Sequence, residues 1–249
     1  MAFRKFERAL QALLINQHDY HPLFDLPTLN HVSSLAAFFY VAAFRVLREL
    51  MRPFRSANPT WLKQPATDKR ITVREKRLHE MLREQVNKMA GELTASTPNT
   101  IKRCNSTIER GGSAAIPIGN CSVDAVISSP PYCTRIDYVK KTGPELALLG
   151  AKTAAVNSMR DQMIGTPTIQ KETPQGKPSW GGTCLRAVEA ISLHNSYASK
   201  SYYWKTYVQY FNGLHQSLRE IDRTLKSSGT CILVIQDSYY KTYTLTSPE

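Results

Sequence analysis

An open α/β sheet carrying a helical, basic N-terminal region is the fold class that this 249-residue sequence predicts, and three observations predict it. Apolar residues recur at three- and four-residue spacing over two early stretches, as they do on amphipathic helices. From about residue 99 short apolar runs alternate with helical patterns, as in a parallel sheet whose strands are joined by helices. One of these runs, Val123-Asp-Ala-Val-Ile-Ser128, ends on a stiff Ser-Pro-Pro-Tyr corner, at the strand end where open α/β sheets bind ligands. The expected division is 1–95 as the helical basic region and 96–249 as the α/β domain.

Residues 31–51 read as a helix capped by Ser33 or Ser34, with Leu35, Phe38, Phe39, Ala42, Val46 and Leu50 on its apolar face. Arg45, Arg48 and Arg52 fall near its end, where cations suit the helix dipole, so a scaffold helix with a solvated rim is expected. Residues 53–70 hold three prolines, which exclude a continuous helix and predict an extended basic loop. Within it Arg55, Lys63, Lys69 and Arg70 surround Trp61, an indole on which a nucleobase can stack or which anchors the loop to the core. Residues 71–93 give a second helix with Val73, Leu78, Met81, Leu82, Val86 and Met89 on a narrower stripe.

Beyond residue 99, NTIKRCNSTI reads as a strand, GGSAAIPIGN as a loop and 123–128 as a strand buried in a parallel sheet. PELALLG begins a helix with Pro144 at a permitted first-turn position. Residues 165–183 form a long Pro/Gly-rich loop of the kind that serves as a lid or binding loop. A helix over about 201–226 carries Tyr203, Tyr207, Tyr210, Leu214, Leu218, Ile221 and Leu225 as a core stripe. Lys226–Gly229 reads as a turn into a buried strand over 230–236.

The charge balance narrows the partners. Thirty-two Lys and Arg against 20 Asp and Glu give a net charge of +12, which attracts polyanions: nucleic acid first, an anionic membrane surface second. The five cysteines are odd in number and have no CxxC spacing, and no histidine pair has HxxxH spacing. Neither a metal site nor a disulfide framework is expected, and reduced thiols fit a cytoplasmic location. The start Met-Ala-Phe-Arg-Lys lacks the apolar run of a signal peptide, and the apolar stretch 35–44 is too short to span a bilayer, so no membrane partner is expected. No P-loop, Ser-His-Asp arrangement or paired-carboxylate pattern is present.

Ser129-Pro130-Pro131-Tyr132 carries the chemistry. Average residue usage puts a chance occurrence in a chain of this length at roughly one in a thousand, and the strand before it lowers the odds further. Two prolines fix φ and remove N–H donors, so the corner is rigid and turns carbonyl oxygens outward. Such a corner suits methylation of an exocyclic amine, whose lone pair is delocalised into the base ring. Ser129 Oγ and the Pro130 carbonyl can hold the NH2 group in a reactive geometry, and Tyr132 can stack on the base. The base must leave the duplex to be reached.

This segment resembles the S-adenosylmethionine-dependent amino-methyltransferases of DNA, whose motif is (Ser/Asp/Asn)-Pro-Pro-(Tyr/Phe/Trp). Serine in first place is similar to the cytosine-N4 branch. The continuation Cys133-Thr-Arg-Ile-Asp-Tyr138 and the following PELALLG also resemble members of this group. The resemblance implies a Rossmann-like methyltransferase sheet and S-adenosylmethionine as cofactor. It implies direct transfer without a covalent enzyme intermediate, in a restriction-modification setting. Ser129, Pro130, Pro131 and Tyr132 become the target-amine loop. Asn105 stands where the family has an acidic residue near the cofactor adenine, and Ser128 adjoins the cofactor. Arg55, Trp61 and Lys63 then grip DNA, while Lys171 and Lys177 read the target.

The family's glycine-rich cofactor loop has no counterpart, because Gly111-Gly112 and Gly181-Gly182 lack its GxG spacing. A second polypeptide that supplies the loop, a truncated product or a diverged cofactor site would each account for this, and the sheet is then incomplete. Two further readings stay open: an RNA methyltransferase acting on a guanine amine of transfer RNA, and a non-catalytic nucleic-acid-binding subunit.

Overall fold

The computed structural model of the chain describes residues 2–14, 32–54, 56, 63, 71–95, 105–109, 111–133, 136–241 and 243–245. It divides into two compact units, Met1–Asn105 with Tyr138–Asn157 and Ser106–Asp137 with Ser158–Glu249. Among the described residues no helix is long and apolar enough to cross a membrane.

The first unit is helical: α1 (Ala2–Leu14), α2 (Ser34–Leu50), α3 (Glu75–Ala95), α4 (Tyr138–Lys141) and α5 (Gly143–Leu148), with the unit boundary falling inside α6 (Thr153–Gln162). Ser33 caps α2 by accepting the Ala36 N–H at 3.1 Å. Ala36, Tyr40, Ala42, Ala43 and Val46 form its buried face. That face is rotated from the expected one: Leu35 is exposed and Phe38 and Phe39 are half-buried. Alanine permits a close helix approach, so the seam runs along the small residues. Ala43 and Val46 meet Leu78 and Leu82 of α3 and Leu148 of α5 in one core.

Helix α1 was not foreseen from its basic sequence. It packs Phe3 and Phe6 against the core and buries Glu7, which accepts hydrogen bonds from Tyr40 (3.1 Å) and Gln11 (3.0 Å). Arg48 is no solvated rim residue. It pairs with Glu145 and donates to the Lys141 carbonyl at 3.1 Å, tying α2 to the α4–α5 segment.

The second unit pairs β1 (Val123–Ser128) with β2 (Leu225–Leu233) in parallel, and β3 (Ser238–Tyr240) with β4 (Tyr243–Leu245) in an antiparallel hairpin. Helices α7 (Gly182–Leu193) and α8 (Trp204–Thr224) flank them, and a π-helical turn, Ser199–Tyr203, leads into α8. The core joins Ile191, Tyr207 and Tyr240, with Cys133, Tyr203, Trp204 and Phe211 packed around it. The fold is thus mixed helix and sheet with a small parallel pair.

Several expectations are corrected here. The strand 123–128 is paired but not buried: Ile127 is 76% exposed and its cross-strand neighbour Ile232 is 50% exposed, because among the described residues this sheet has only two strands. The helix expected over 201–226 gives way to β2 at Leu225. Lys226–Gly229, read as a turn, lie within β2 as an irregularity where the register jumps from Val123↔Leu225 to Ala125↔Thr230. Gly229 is required there, since a Cβ would come within 2.7 Å of the Leu225 side chain. The described part of NTIKRCNSTI, residues 105–108, is exposed and forms no strand.

Entry into β1 is set by α8. Arg223 donates to the Ile116 and Ile118 carbonyls, each at 2.9 Å, and to Asn120. Glu220 accepts from Arg223 and from the Ile116 N–H at 2.9 Å. The Arg223 hydrogen bond, then the Ile116 N–H, hold the Glu220 carboxyl down at about 2. A lowered folded-state value means that this contribution is complete above the ordinary value of 4.5 and is lost only as pH falls toward 2. In Arg223→Ala the Glu220 titration midpoint, read by carboxyl-carbon NMR, is expected to rise toward 4.5.

Candidate functional site

The corner that follows β1 has few donors of its own, so its shape depends on what reaches it. Val234, just past β2, donates its N–H to the Ser128 carbonyl at 2.9 Å and accepts the Ser129 hydroxyl at 3.2 Å. With its proton directed at Val234, Ser129 Oγ presents lone pairs outward, and the residue is exposed. Its hydroxyl also lies 3.4 Å from that of Tyr132. The buried Tyr210 of α8 donates to the Pro131 carbonyl at 2.9 Å. Burial, reinforced by the neighbouring Cys133, raises the Tyr210 phenol above its ordinary range, so it stays protonated and remains a donor. The Pro130 carbonyl takes no hydrogen bond from the described residues. The corner therefore has one carbonyl tied and two acceptors, Ser129 Oγ and Pro130 O, left for a ligand.

Beside the corner, the chain after α6 folds against α8. Gln209 donates to the Thr168 carbonyl and accepts the Gln170 N–H, both at 3.1 Å, and Tyr202 donates to the Pro167 carbonyl at 3.0 Å. Gly165 takes a positive φ of 75° and approaches the corner: a Cβ there would sit 3.5 Å from the Tyr132 carbonyl. Asp137, buried, is held by Arg160 at 2.8 Å. A cavity of about 290 Å³ opens between this segment and α8, lined by Asp161, Gln162, Gln209, Tyr210, Asn212 and Gln216 among others. Asp161 is the one charged side chain among the described residues of its lining. Side-chain amides, which both donate and accept, with a single carboxylate match the edges of a neutral heterocycle. Tyr210 belongs both to the cavity wall and to the corner.

The sequence-derived residues fall into separate places. Ser128, Ser129, Pro130, Pro131 and Tyr132 come together at the corner, all half-buried except the exposed Ser129. Asn105, exposed, belongs to the first unit, whereas Ser128 belongs to the second. Lys63 is exposed in the first unit, and Lys171 and Lys177 are exposed on the second unit's long loop. Arg55 and Trp61 lie outside the described residues. For S-adenosylmethionine the described residues do not form a cradle: Gly111 and Gly112 lie on an exposed loop, and Gly181 and Gly182 open α7. The residues present do not by themselves fit that cofactor. No cluster of three metal-ligating side chains occurs among the described residues. Tyr210 and Val234, which hold the corner, were legible only as core and strand residues; nothing in their spacing marks the hydrogen bonds they make.

No protein-family model matches the chain, and no solved structure matches it. The chain is 41% identical over 49 residues, 20% of its length, to the Type II methyltransferases M.AvaI of Nostoc sp. and of Anabaena variabilis, covering 10% of each. It is 38% identical over 58 residues, 23% of its length, to the Type II methyltransferase M.BsoBI of Geobacillus stearothermophilus, covering 11% of that protein. The matches therefore span about a tenth of these curated relatives.

Tyr210→Phe deletes the donor to Pro131 and leaves a packed ring. It is expected to lower the unfolding free energy by about 0.5–1.5 kcal/mol in urea titration, with the far-ultraviolet circular dichroism unchanged.

Proposed function

We propose that this chain supplies the amine-binding part of a DNA methyltransferase that acts on an exocyclic base amine, cytosine N4 in the first instance. One observation carries the reading: the Ser-Pro-Pro-Tyr corner leaves Ser129 Oγ and the Pro130 carbonyl free as acceptors while Val234 and Tyr210 hold the rest of it still. Two acceptor oxygens on one corner would accept the two N–H bonds of an amine and draw its lone pair out of the ring, which is electrostatic preorganisation toward the transition state. The half-buried Tyr132 offers a ring face to the extruded base. The cavity beside Tyr210 gives the base edge amide partners. The names of the partial relatives, Type II methyltransferases, agree with methyl transfer.

The methyl group would come from S-adenosylmethionine. Because the described residues do not cradle it, a second polypeptide carrying a glycine-rich turn completes the site in this reading. Ile127 and Ile232, 76% and 50% exposed on the two-stranded sheet, and Val234, 54% exposed just past β2, give such a partner an apolar surface. Parallel sheets are otherwise covered on both faces. The net charge of +12 holds the DNA backbone, with Lys63, Lys171 and Lys177 as exposed contacts and Arg55 and Trp61 as further candidates, so affinity falls steeply with salt. The setting is cytoplasmic modification of host DNA, as in restriction-modification. The lack of a cofactor cradle equally favours a second reading, a non-catalytic nucleic-acid-binding subunit.

Tritiated methyl transfer to duplex DNA, with transfer RNA as competitor, tests the proposal in lysate and after purification. Ser129→Ala is expected to slow transfer about 100-fold; equal rates would remove Ser129 from the site. Preferential loss of transfer to RNA competitor would shift the substrate to RNA, and no transfer with retained DNA binding would favour the subunit reading.

Thiol labelling tests the partner. Burial pushes the Cys184 thiol up to about 11, so its reaction with iodoacetamide is expected to accelerate only as pH approaches that value. The thiol of Ile232→Cys, placed on the same face as Ile127, is expected to label quickly in the isolated chain and to be protected in the complete enzyme. Unchanged labelling there would place the partner elsewhere.

A further inference from the structure

The most exposed aromatic ring described in the chain lies on one of its most firmly mounted loops. Tyr197 is 96% exposed, and an isolated surface tyrosine would call for no explanation. What surrounds it is unusual. The serines on either side, Ser196 and Ser199, turn inward and share hydrogen bonds with each other (2.7 Å) and with the buried hydroxyl of Tyr240, which lies 2.9 Å from that of Ser196. The Ser196 N–H donates to His194 Nδ1 at 3.0 Å, and the His194 ring meets Tyr240 edge-on at 5.5 Å. Ala198, directly after the tyrosine, takes the left-handed conformation at φ 61°, and its carbonyl accepts the N–H groups of both Tyr202 and Tyr203 to start the π-helical turn.

A non-glycine residue in that region costs free energy and persists only where its surroundings enforce it. The fold therefore holds a large ring in water at a fixed place. Flexibility does not explain the exposure, because three hydroxyl groups, a histidine and a π-turn fix the loop. Apolar burial does not explain it either, since the ring touches solvent on nearly all sides.

The mount is continuous with the corner. Tyr240, on which the serines close, shares its core with Cys133, the residue that follows Tyr132. Lys200, exposed, follows three residues after the tyrosine in the chain. A ring on a fixed loop, a cation three residues on and a packed connection to a base-holding corner match the needs of single-strand and unpaired-base binding, in which rings stack and cations meet the phosphates.

We propose that Tyr197 stacks on a DNA base next to the extruded one and holds the strand while the target base occupies the corner. This rests on the base-binding reading of Ser129–Tyr132. Tyr197 is a positioning residue in this scheme: it touches DNA but no reacting atom. Lys200 contributes the phosphate contact.

The test measures binding of the full chain to fluorescein-labelled oligodeoxythymidylate by anisotropy over a salt series. Tyr197→Ala is expected to weaken binding about 10- to 100-fold without changing the slope of log affinity against log salt, because stacking releases no counterions. Tyr197→Trp is expected to restore the affinity, and Lys200→Ala to flatten the slope while leaving the stacking contribution in place. Ser199→Ala, which loosens the mount but keeps the ring, is expected to fall between Tyr197→Ala and the parent.

A Tyr197→Ala chain that binds as tightly as the parent would overturn the proposal and leave the ring to a protein partner. So would failure of tryptophan to restore affinity. Methyl transfer by the same preparations separates the two readings. A parent that stacks through Tyr197 but transfers no methyl group removes the enzyme reading alone. A parent that transfers methyl groups while Tyr197→Ala binds normally removes the stacking role alone.

Discussion

The hold that Val234 and Tyr210 exert on residues 128–131 is the constraint from which the rest of the second unit follows. Two prolines fix φ but leave ψ free, so their rigidity alone does not aim a carbonyl. Aim comes from outside the corner. The backbone of Val234 takes both the Ser128 carbonyl and the Ser129 proton, and Tyr210 takes the Pro131 carbonyl. For Val234 to be present, β2 must lie parallel to β1 in its observed register, with Ser128 opposite Leu233. For Tyr210 to be present, α8 must run beneath the corner. Parallel pairing, helix placement and an inward-facing phenol are thus one arrangement seen from three sides, and the acceptors left over are those that no member of it uses.

The same arrangement explains why the sheet is open where it is. β1 and β2 are braced by α8 and by the Arg223–Glu220 anchor at their start, and by Val234 at their end. Their outward residues alternate onto a face that carries Ile127 and Ile232. A polar outer face would be the simpler solution for a strand pair meant to stay in water. Branched apolar residues at paired positions suit a face that is covered when the protein works.

The sequence is informative where local chemistry governs and silent where a distant residue decides. VDAVIS is legible as a strand because its apolar run and proline stop are both local, and Ser33 is legible as a cap because capping involves one turn. α1 escaped notice because four basic or acidic side chains interrupt Phe3, Phe6 and Leu10, and Glu7 and Gln11 sit on the buried side, where polarity argues against burial until Tyr40 supplies a partner. Lys226–Gly229 show the converse. Serine and glycine do favour a turn, but pairing with β1 absorbs them into a strand as an irregularity, which keeps Gly229 necessary and removes the turn. At the site, Ser129–Tyr132 is visible as a motif. Tyr210, Val234 and Gly165 are not, since each acts through a residue at least thirty positions away.

Hydroxyl groups take the work that charge would do elsewhere in the second unit. The corner is fixed by Ser129 and Tyr210, the Tyr197 loop by Ser196, Ser199 and Tyr240, and the long loop by Tyr202, all without an ion pair. In a chain with a surplus of twelve positive charges, cations near these points would be drawn to any polyanion and would shift with salt. Neutral donors do not. Geometry held by hydroxyls stays constant while the cationic surface gains and loses its counterions, so attraction to a polyanion can vary with ionic strength and the shape of the corner can remain the same.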